Sequence, residues 1–156
     1  MKKVITLTAV LGILFISCNN KAKENTEMPV APAVPVTESL GTECYSSMMD
    51  NNSAAMELNI NTNNEVNGKL SYSYYQKDKN EGTIVGNIKG DTLIADYTFM
   101  SEGTSSVRQV VFLKKDGMYI EGFGDVLESN GKMVFTDKTK LKFDPKMVFN
   151  KVDCKE

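Results

Sequence analysis

The chain has no histidine and no tryptophan, and only three cysteines and four prolines in 156 residues. Without histidine it lacks the commonest general base, the Ser-His and Cys-His nucleophile pairs, and the usual nitrogen ligand of zinc and copper. Most hydrolase and metalloenzyme sites cannot be built from the residues present. We therefore expect no catalytic residue, no metal and no cofactor, and we expect that the protein is not an enzyme.

An enzyme made from this chain would have to rely on a pair of carboxylates. The candidates are Asp96, Glu102, Glu121 and Asp125. A carboxylate pair works only when the two groups lie on either side of the reacting bond, and the sequence does not place any two of them so. Catalysis is accordingly the weakest of the functional hypotheses.

Basic clusters are also missing, because 18 lysines and arginines are scattered among 20 aspartates and glutamates. A nucleic-acid-binding surface needs concentrated positive charge, so we expect no nucleic acid partner. Sustained helical periodicity is absent as well. The one long apolar run covers residues 4–16, at the very start of the chain.

That run has the order of an export signal. Lys2 and Lys3 precede the apolar residues, and Ser17 and Cys18 follow them. The segment resembles a bacterial lipoprotein signal with its lipobox, in which Phe15 stands where leucine is usual. The alternative is an ordinary secretory signal with an incidental cysteine.

The resemblance implies that residues 1–17 are removed and that Cys18 becomes the first mature residue. Cys18 would then carry a diacylglycerol and usually an N-acyl chain such as palmitate, which anchor the protein to a membrane without spanning it. Loss of Lys2 and Lys3 leaves 16 basic and 20 acidic residues, a formal net charge of −4. We expect a lipid-anchored protein of the bacterial cell envelope, at the outer membrane and facing either the periplasm or the cell surface.

The other two cysteines, Cys44 and Cys154, make an even pair in an exported protein, and we predict a disulfide between them. It would close a loop of about 110 residues, for which the chain-entropy model gives roughly 4 to 5 kcal/mol. A metal or redox role is disfavoured because neither cysteine belongs to a Cys-x-x-Cys motif.

Residues 18–41 have the composition of a flexible tether. They are polar at first and then carry Pro29, Pro32 and Pro35 at intervals of three. Such a segment buries too little apolar surface to fold, and the prolines favour an extended conformation. The tether would reach roughly 25 Å as a coil and up to about 70 Å when extended. Residues 42–156 then form a single folded domain.

Alternating apolar residues in that domain predict a series of β-hairpins. A loop at residues 62–64 would pair Ile60 with Val66 and Met56 with Leu70. A two-residue turn at Gly90 and Asp91 places six residues on one face: Ile84, Gly86, Ile88, Leu93, Ala95 and Tyr97.

A third hairpin, turning at Asp116 and Gly117, has one face of mixed character. That face collects Arg108, Glu121 and Asp125 among aromatic residues, with Arg108 opposite Asp125. Facing inward, the cluster would be a polar lining for a cavity and costly to bury. We expect it to face outward, because ion pairs between neighbouring strands are common on surfaces.

About eight to ten short antiparallel strands in sequence indicate an all-β, up-and-down meander. Such a sheet removes its exposed edges by closing, so we predict a small lipocalin-like barrel, with a half-barrel or a sandwich as the alternative. Glycines at 68, 86, 122 and 124 would permit strands to bend, or would leave room for a ligand.

Several stretches of the domain look like small uncharacterised lipoproteins of Bacteroidota-type bacteria. They are residues 77–84, 90–99 and 101–103 and the terminal Asp153-Cys154. This likeness covers most of residues 42–154. The family has no assigned activity, so the resemblance supports location and fold only.

Two functional hypotheses follow. The first is a non-enzymatic binding module whose barrel holds a small apolar or amphipathic molecule in its mouth. The second is a protein-interaction lipoprotein, such as an envelope assembly partner or an enzyme inhibitor. An open cavity favours the first, and a filled interior with projecting loops at residues 77–81 or 102–106 favours the second. The expected cavity lining is Tyr72, Tyr74, Tyr97, Phe99 and Ile120.

Overall fold

The computed structural model describes residues 38–101 and 103–154. Cys18, the predicted signal segment, most of the predicted tether and Glu102 lie outside these residues. The described part contains ten strands and one short 3₁₀ turn, Lys138–Lys140, and no α-helix. The strands are β1 Ser39–Met49, β2 Asn52–Asn61, β3 Glu65–Ser73, β4 Asn80–Lys89, β5 Thr92–Ser101, β6 Thr104–Lys115, β7 Met118–Phe123, β8 Val126–Ser129, β9 Lys132–Phe135 and β10 Lys142–Val152.

Eight of these strands form a closed barrel. Neighbours follow the order β5-β4-β3-β2-β1-β10-β7-β6, and pairing between β5 and β6 closes the ring. All pairs around the ring are antiparallel. The predicted barrel is confirmed, and the half-barrel and the sandwich are excluded. The meander is interrupted once, where the β8–β9 hairpin is inserted between β7 and β10.

The registers predicted for the hairpins at residues 62–64 and at Gly90 and Asp91 are confirmed, whereas Arg108 lies opposite Met133 and not opposite Asp125. In the β2–β3 hairpin Ile60 lies opposite Val66 and Met56 opposite Leu70. In the β4–β5 hairpin Ile84 lies opposite Tyr97. Asn64 has a φ of 60°, which is the left-handed conformation that this turn requires. Turn chemistry and the apolar pattern agree at these places, and that agreement fixes the register.

The first and last strands meet at a covalent link. β1 pairs with β10, with Cys44 opposite Val152, and the Cys44–Cys154 disulfide is confirmed just beyond that pair. β1 begins at Ser39, which lies opposite Asn61. Residues 39–41, expected at the end of the tether, therefore belong to the sheet, because the end of β2 offers them backbone partners.

The barrel interior is filled by side chains. Aromatic rings dominate it and meet edge to face, as in Tyr45 with Tyr119 at 5.0 Å and Phe112 with Phe149 at 5.4 Å between ring centroids. A side chain at Gly86 would collide with Ala95 and with the backbone of Ile94. This glycine permits close approach of two strands and leaves no room for a ligand. The interior cluster is Tyr45, Ala54, Met56, Leu58, Val66, Leu70, Tyr72, Ile84, Leu93, Ala95, Tyr97, Val110, Phe112, Tyr119 and Phe149.

None of the described residues belongs to a helix that is long and apolar enough to cross a membrane.

Candidate functional site

Strands β6 and β7 separate along part of their length. Only Phe112–Lys115 of β6 pair with Met118–Glu121 of β7, next to the turn that joins the two strands. β6 has 12 residues and β7 only six, so the first half of β6 has no partner in β7. β9 approaches this half instead, with Arg108 opposite Met133, while β7 stays paired with β10.

The separation opens a cleft of about 400 Å³ between β6, β7 and the β8–β9 hairpin. An ion pair of 2.6 Å between Lys132 Nζ and Asp96 Oδ2 ties the hairpin to β5 and so holds the outer wall of the cleft in place. Only two of the lining residues carry a charge, Arg108 and Glu121. The large apolar residues of the lining are Phe99, Val107, Val110, Phe123, Val126, Met133 and Phe135.

The expected outward orientation of the charged cluster is wrong for Arg108 and Glu121. Glu121 is buried in the barrel wall, with 4% of its side chain exposed, whereas Arg108 is 38% exposed. Arg108 and Glu121 share a strand face with Val110 and Phe112. Burial of these two apolar side chains contributes more free energy than burial of the charged groups costs. Asp125 is exposed in the connection after β7, where its backbone carbonyl accepts hydrogen bonds from Thr136. It is not part of the cluster.

The guanidinium of Arg108 lies over aromatic rings. Its central carbon is 5.3 Å from the centroid of Tyr72, 5.6 Å from that of Tyr97 and 5.8 Å from that of Phe99. Rings at this distance attract a cation and limit its motion. Arg108 Nη2 is 3.8 Å from Glu121 Oε1, which is too long for a hydrogen bond. The cation is thus held in place mainly by the rings.

Of the five residues expected to line an open cavity, only Phe99 lines this cleft. Tyr72 and Tyr97 are buried in the filled interior, and Tyr74 is partly buried against it. Ile120 does not belong to the interior cluster, since its neighbours Tyr119 and Glu121 take the inward positions of β7. The prediction of a cavity lined by these side chains is wrong, because the rings themselves occupy the space.

Five buried polar atoms of residues that line the cleft or contact Arg108 have no hydrogen-bond partner among the described residues. They are Arg108 Nε, Gln109 Oε1 and Glu121 Oε2 in the lining, and Tyr72 Oη and Tyr97 Oη of the rings that Arg108 contacts. A buried polar atom without a partner costs roughly 1 to 3 kcal/mol. Donors and acceptors are both represented, so the cleft is suited to a ligand with a polar group.

Burial raises the pKa of the Glu121 carboxyl, although the charge of Arg108 and the nearby Tyr72 hydroxyl act in the opposite direction. Burial likewise raises the pKa of Tyr72, and the Glu121 charge adds to that effect. The pKa of Tyr97 is raised to about 12 by burial, against the charge of Arg108. Burial therefore acts against the ionised forms of this carboxyl and these phenols, which lie next to a permanent cation.

A second charged cluster lies near the other end of β6, and sequence analysis did not find it. Glu43 accepts hydrogen bonds from Lys151 Nζ at 2.7 Å, Tyr45 Oη at 2.8 Å and Lys114 Nζ at 3.4 Å. Partial burial acts to raise the pKa of Glu43, but these bonds and charges outweigh it and lower the pKa to about 2. The cluster is internally satisfied and needs no ligand. The only signal in the sequence was that Glu43 shares the inward face of β1 with Tyr45.

A larger cavity lies on the outer face of the barrel. It measures about 720 Å³ and covers outward positions of β1 to β4 such as Ser46, Ala55, Ser71 and Thr83. None of the unpaired buried atoms found in the described residues belongs to its lining. In the part of the chain that the structure describes, no three acidic or cysteine side chains come together as a group that could hold a metal ion.

Comparison of the chain with protein-family models, with curated proteins and with solved structures finds no match.

Proposed function

We propose that this protein is a non-enzymatic, lipid-anchored lipoprotein of the bacterial envelope, and that its barrel binds a small amphipathic ligand in the cleft between β6 and β7. One observation carries the binding proposal. Arg108 and the buried Glu121 leave polar atoms unpaired in a cleft whose other walls are mostly apolar. Small-molecule sites typically combine such walls with a few convergent polar groups.

The filled interior decides where the ligand is proposed to lie. Rings of the interior cluster leave no space at the barrel centre, so the ligand would lie between the β8–β9 hairpin and β7. Its apolar part would contact Phe123, Met133 and Phe135, and its polar group would point to Arg108. A cleft of about 400 Å³ suits a small molecule rather than a whole membrane lipid.

The anchoring part of the proposal rests on the lipobox-like residues before Cys18. Replacement of Cys18 by Ser is expected to move the protein from the membrane fraction to the aqueous fraction of fractionated cells, because its acyl chains would be lost. Retention in the membrane fraction after this replacement would refute lipid anchoring through Cys18.

The binding proposal is tested by extraction. The full chain with Cys18→Ser is purified without detergent, and organic extracts are examined by mass spectrometry. We expect an amphipathic compound in stoichiometric amount, lost from a Met133→Glu variant because the new carboxylate charges the apolar wall of the cleft. Val85→Glu is the matched control, since Val85 is an exposed apolar residue of β4 that does not line the cleft. An extract without ligand, together with no ligand-induced rise in Tm, would contradict the proposal.

A second candidate is a protein-interaction lipoprotein, favoured by the filled interior and by exposed apolar residues on β8. Val126 and Leu127 are each 46% exposed. Val126 lines the cleft and Leu127 points to the opposite face of β8, so both faces of this strand present apolar surface of the kind found at interaction sites. If Leu127→Lys abolished the biological role of the protein while the amount of extracted ligand stayed unchanged, protein interaction would replace ligand binding as the proposed function.

A further inference from the structure

The two charged residues of the cleft, Arg108 and Glu121, are arranged to bind one kind of polar group on a ligand. Arg108 is the single cation among the residues that line the cleft, and Glu121 is the single acid. Stacked rings hold the guanidinium in place, since the centroids of the Tyr97 and Phe99 rings are 4.7 Å apart and lie 5.6 Å and 5.8 Å from its central carbon. A guanidinium held in this way has lost most of its freedom before any ligand arrives.

Arg108 is also poorly neutralised. Its only ion pair in the described residues is the 3.8 Å contact with Glu121, and its Nε has no partner. A guanidinium has five N–H donors arranged as a fork, which match the two oxygens of a carboxylate. The group is therefore available for a second anion.

Glu121 would complement an anion if it were protonated. Its Oε2 lacks a partner, and a protonated carboxyl has one O–H to donate. Burial already raises the pKa of Glu121. The other titratable groups that face it are Tyr72 on β3, Tyr74 just after β3 and Tyr97 on β5, and burial raises the pKa of all three phenols. Arg108 on β6 and the hydroxyl of Tyr72 oppose its protonation.

We infer that the cleft selects amphipathic molecules that carry a carboxylate, with the ligand carboxylate paired to Arg108 and the carboxyl of Glu121 donating a hydrogen bond to it. This inference rests on the proposed function and names its ligand class. A second carboxylate next to Glu121 disfavours the ionised form of both groups together, so binding takes up a proton from solvent. A cationic amphipath would instead meet Arg108, and an alcohol would lack the charge-assisted pair.

The test compares three probes of equal chain length: decanoate, decanol and decyltrimethylammonium. Their affinities for the full chain with Cys18→Ser are measured by titration calorimetry. We expect decanoate to bind at least about tenfold more tightly than decanol, because hydrogen bonds to a charged partner are the stronger kind. Arg108→Gln is expected to remove that preference, so that the variant binds decanoate no more tightly than decanol. Lys114→Gln is the matched control, because Lys114 is a cation of the same strand near its other end that does not line the cleft.

The dependence on pH gives a second readout. Between about pH 6 and pH 8 decanoate remains ionised. Its affinity is expected to fall as the pH rises, and Glu121→Gln is expected to abolish that fall, since an amide donates a hydrogen bond without titrating. If Arg108→Gln does not fold, as judged by its Tm, the ratio of decanoate to decanol affinity and the pH series still decide the question.

The outcomes distinguish selection of a carboxylate from binding of amphipathic molecules in general. Equal affinities for decanoate and decanol, or a preference for decyltrimethylammonium, would overturn carboxylate selection and leave an amphipath-binding cleft. Absence of binding by all three probes would overturn carboxylate selection and count against the proposed function as well. An affinity for decanoate that is the same at every pH would refute the role given to Glu121.

Discussion

At the scale of single residues, the barrel contains two carboxyl groups with opposite behaviour. Glu43 is surrounded by donors, two of them lysines, and its pKa is lowered to about 2. Glu121 has one distant cation and an unpaired oxygen, and its pKa is raised. Deeper burial raises the pKa of Glu121, whereas hydrogen bonds and lysine charges outweigh partial burial at Glu43. Glu43 is therefore a structural residue, and Glu121 is the carboxyl that we propose to contact the ligand.

Replacement of Glu43 by Gln is expected to lower the free energy of unfolding by about 1 kcal/mol at neutral pH, because two partly exposed ion pairs are lost. A carboxyl whose pKa is lower in the folded state stabilises the fold at pH above its unfolded pKa. The contribution of Glu43 is then lost as the pH falls from about 4.5 to about 2. Urea unfolding at several pH values measures this.

In the Gln variant the acid-dependent loss of stability in that window should be smaller than in the unsubstituted chain. Glu57→Gln serves as the control, because Glu57 makes only a 3.8 Å surface ion pair with Lys69. Equal acid sensitivity of the Glu43→Gln variant and the unsubstituted protein would show that the cluster does not stabilise the fold.

At the scale of strands, close approach of β4 to β5 depends on a missing side chain. Gly86 lies opposite Ala95, and a Cβ at this position would collide with Ala95 and with the carbonyl of Ile94. We expect Gly86→Val to destabilise the protein by about 1 to 3 kcal/mol, as is usual when a packed core is overfilled. The midpoint of thermal unfolding measures it.

The neighbouring substitution Asn87→Ala is the control, because Asn87 is exposed on the other face of the same strand. It should change the Tm little. A Gly86→Val protein as stable as the control would mean that β4 and β5 separate easily at this position. The interior would then be packed less tightly than the contacts of Gly86 with Ala95 and Ile94 indicate.

The β8–β9 hairpin is the element that turns a simple barrel into one with a cleft. It is inserted between β7 and β10, and β9 takes the place beside Arg108 that a longer β7 would have filled. The short length of β7 thus leaves space, and the hairpin supplies an apolar wall with Met133 and Phe135. Site and fold are linked through this insertion.

At the scale of the whole molecule, the first and last strands of the barrel are joined in two ways. Backbone pairing of β1 with β10 joins the two ends of the folded chain, and the Cys44–Cys154 bond fastens them across 110 residues. For a loop of this length the chain-entropy model gives about 4 to 5 kcal/mol. The remaining stability comes from the filled aromatic interior.

Reduction of this disulfide, or the double substitution Cys44→Ser and Cys154→Ser, is expected to lower the free energy of unfolding by about 4 kcal/mol. The shift of the urea midpoint with and without reductant measures it, and Cys18→Ser alone should leave the midpoint unchanged. If both thiols reacted with maleimide in the native, unreduced protein, the bond would be absent from the folded state.

The sequence by itself determined the strand pairings that depend on local signals. The turns at residues 62–64 and at Gly90 select their own registers, and Cys44 and Cys154 form the disulfide predicted from the cysteine count. Closure of the barrel followed from the cost of exposed strand edges. The lipid anchor at Cys18 stays a prediction.

Only the tertiary structure decided which face of β6 and β7 is inside. Alternation separates the two faces of a hairpin but does not say which is buried when both carry apolar residues, as with Phe112 on one face and Val111 on the other. The cluster around Glu43 likewise needed three strands from distant parts of the chain. The cleft with Arg108 and Glu121 arose because β7 ends early, which depends on packing of the inserted hairpin and not on any local pattern.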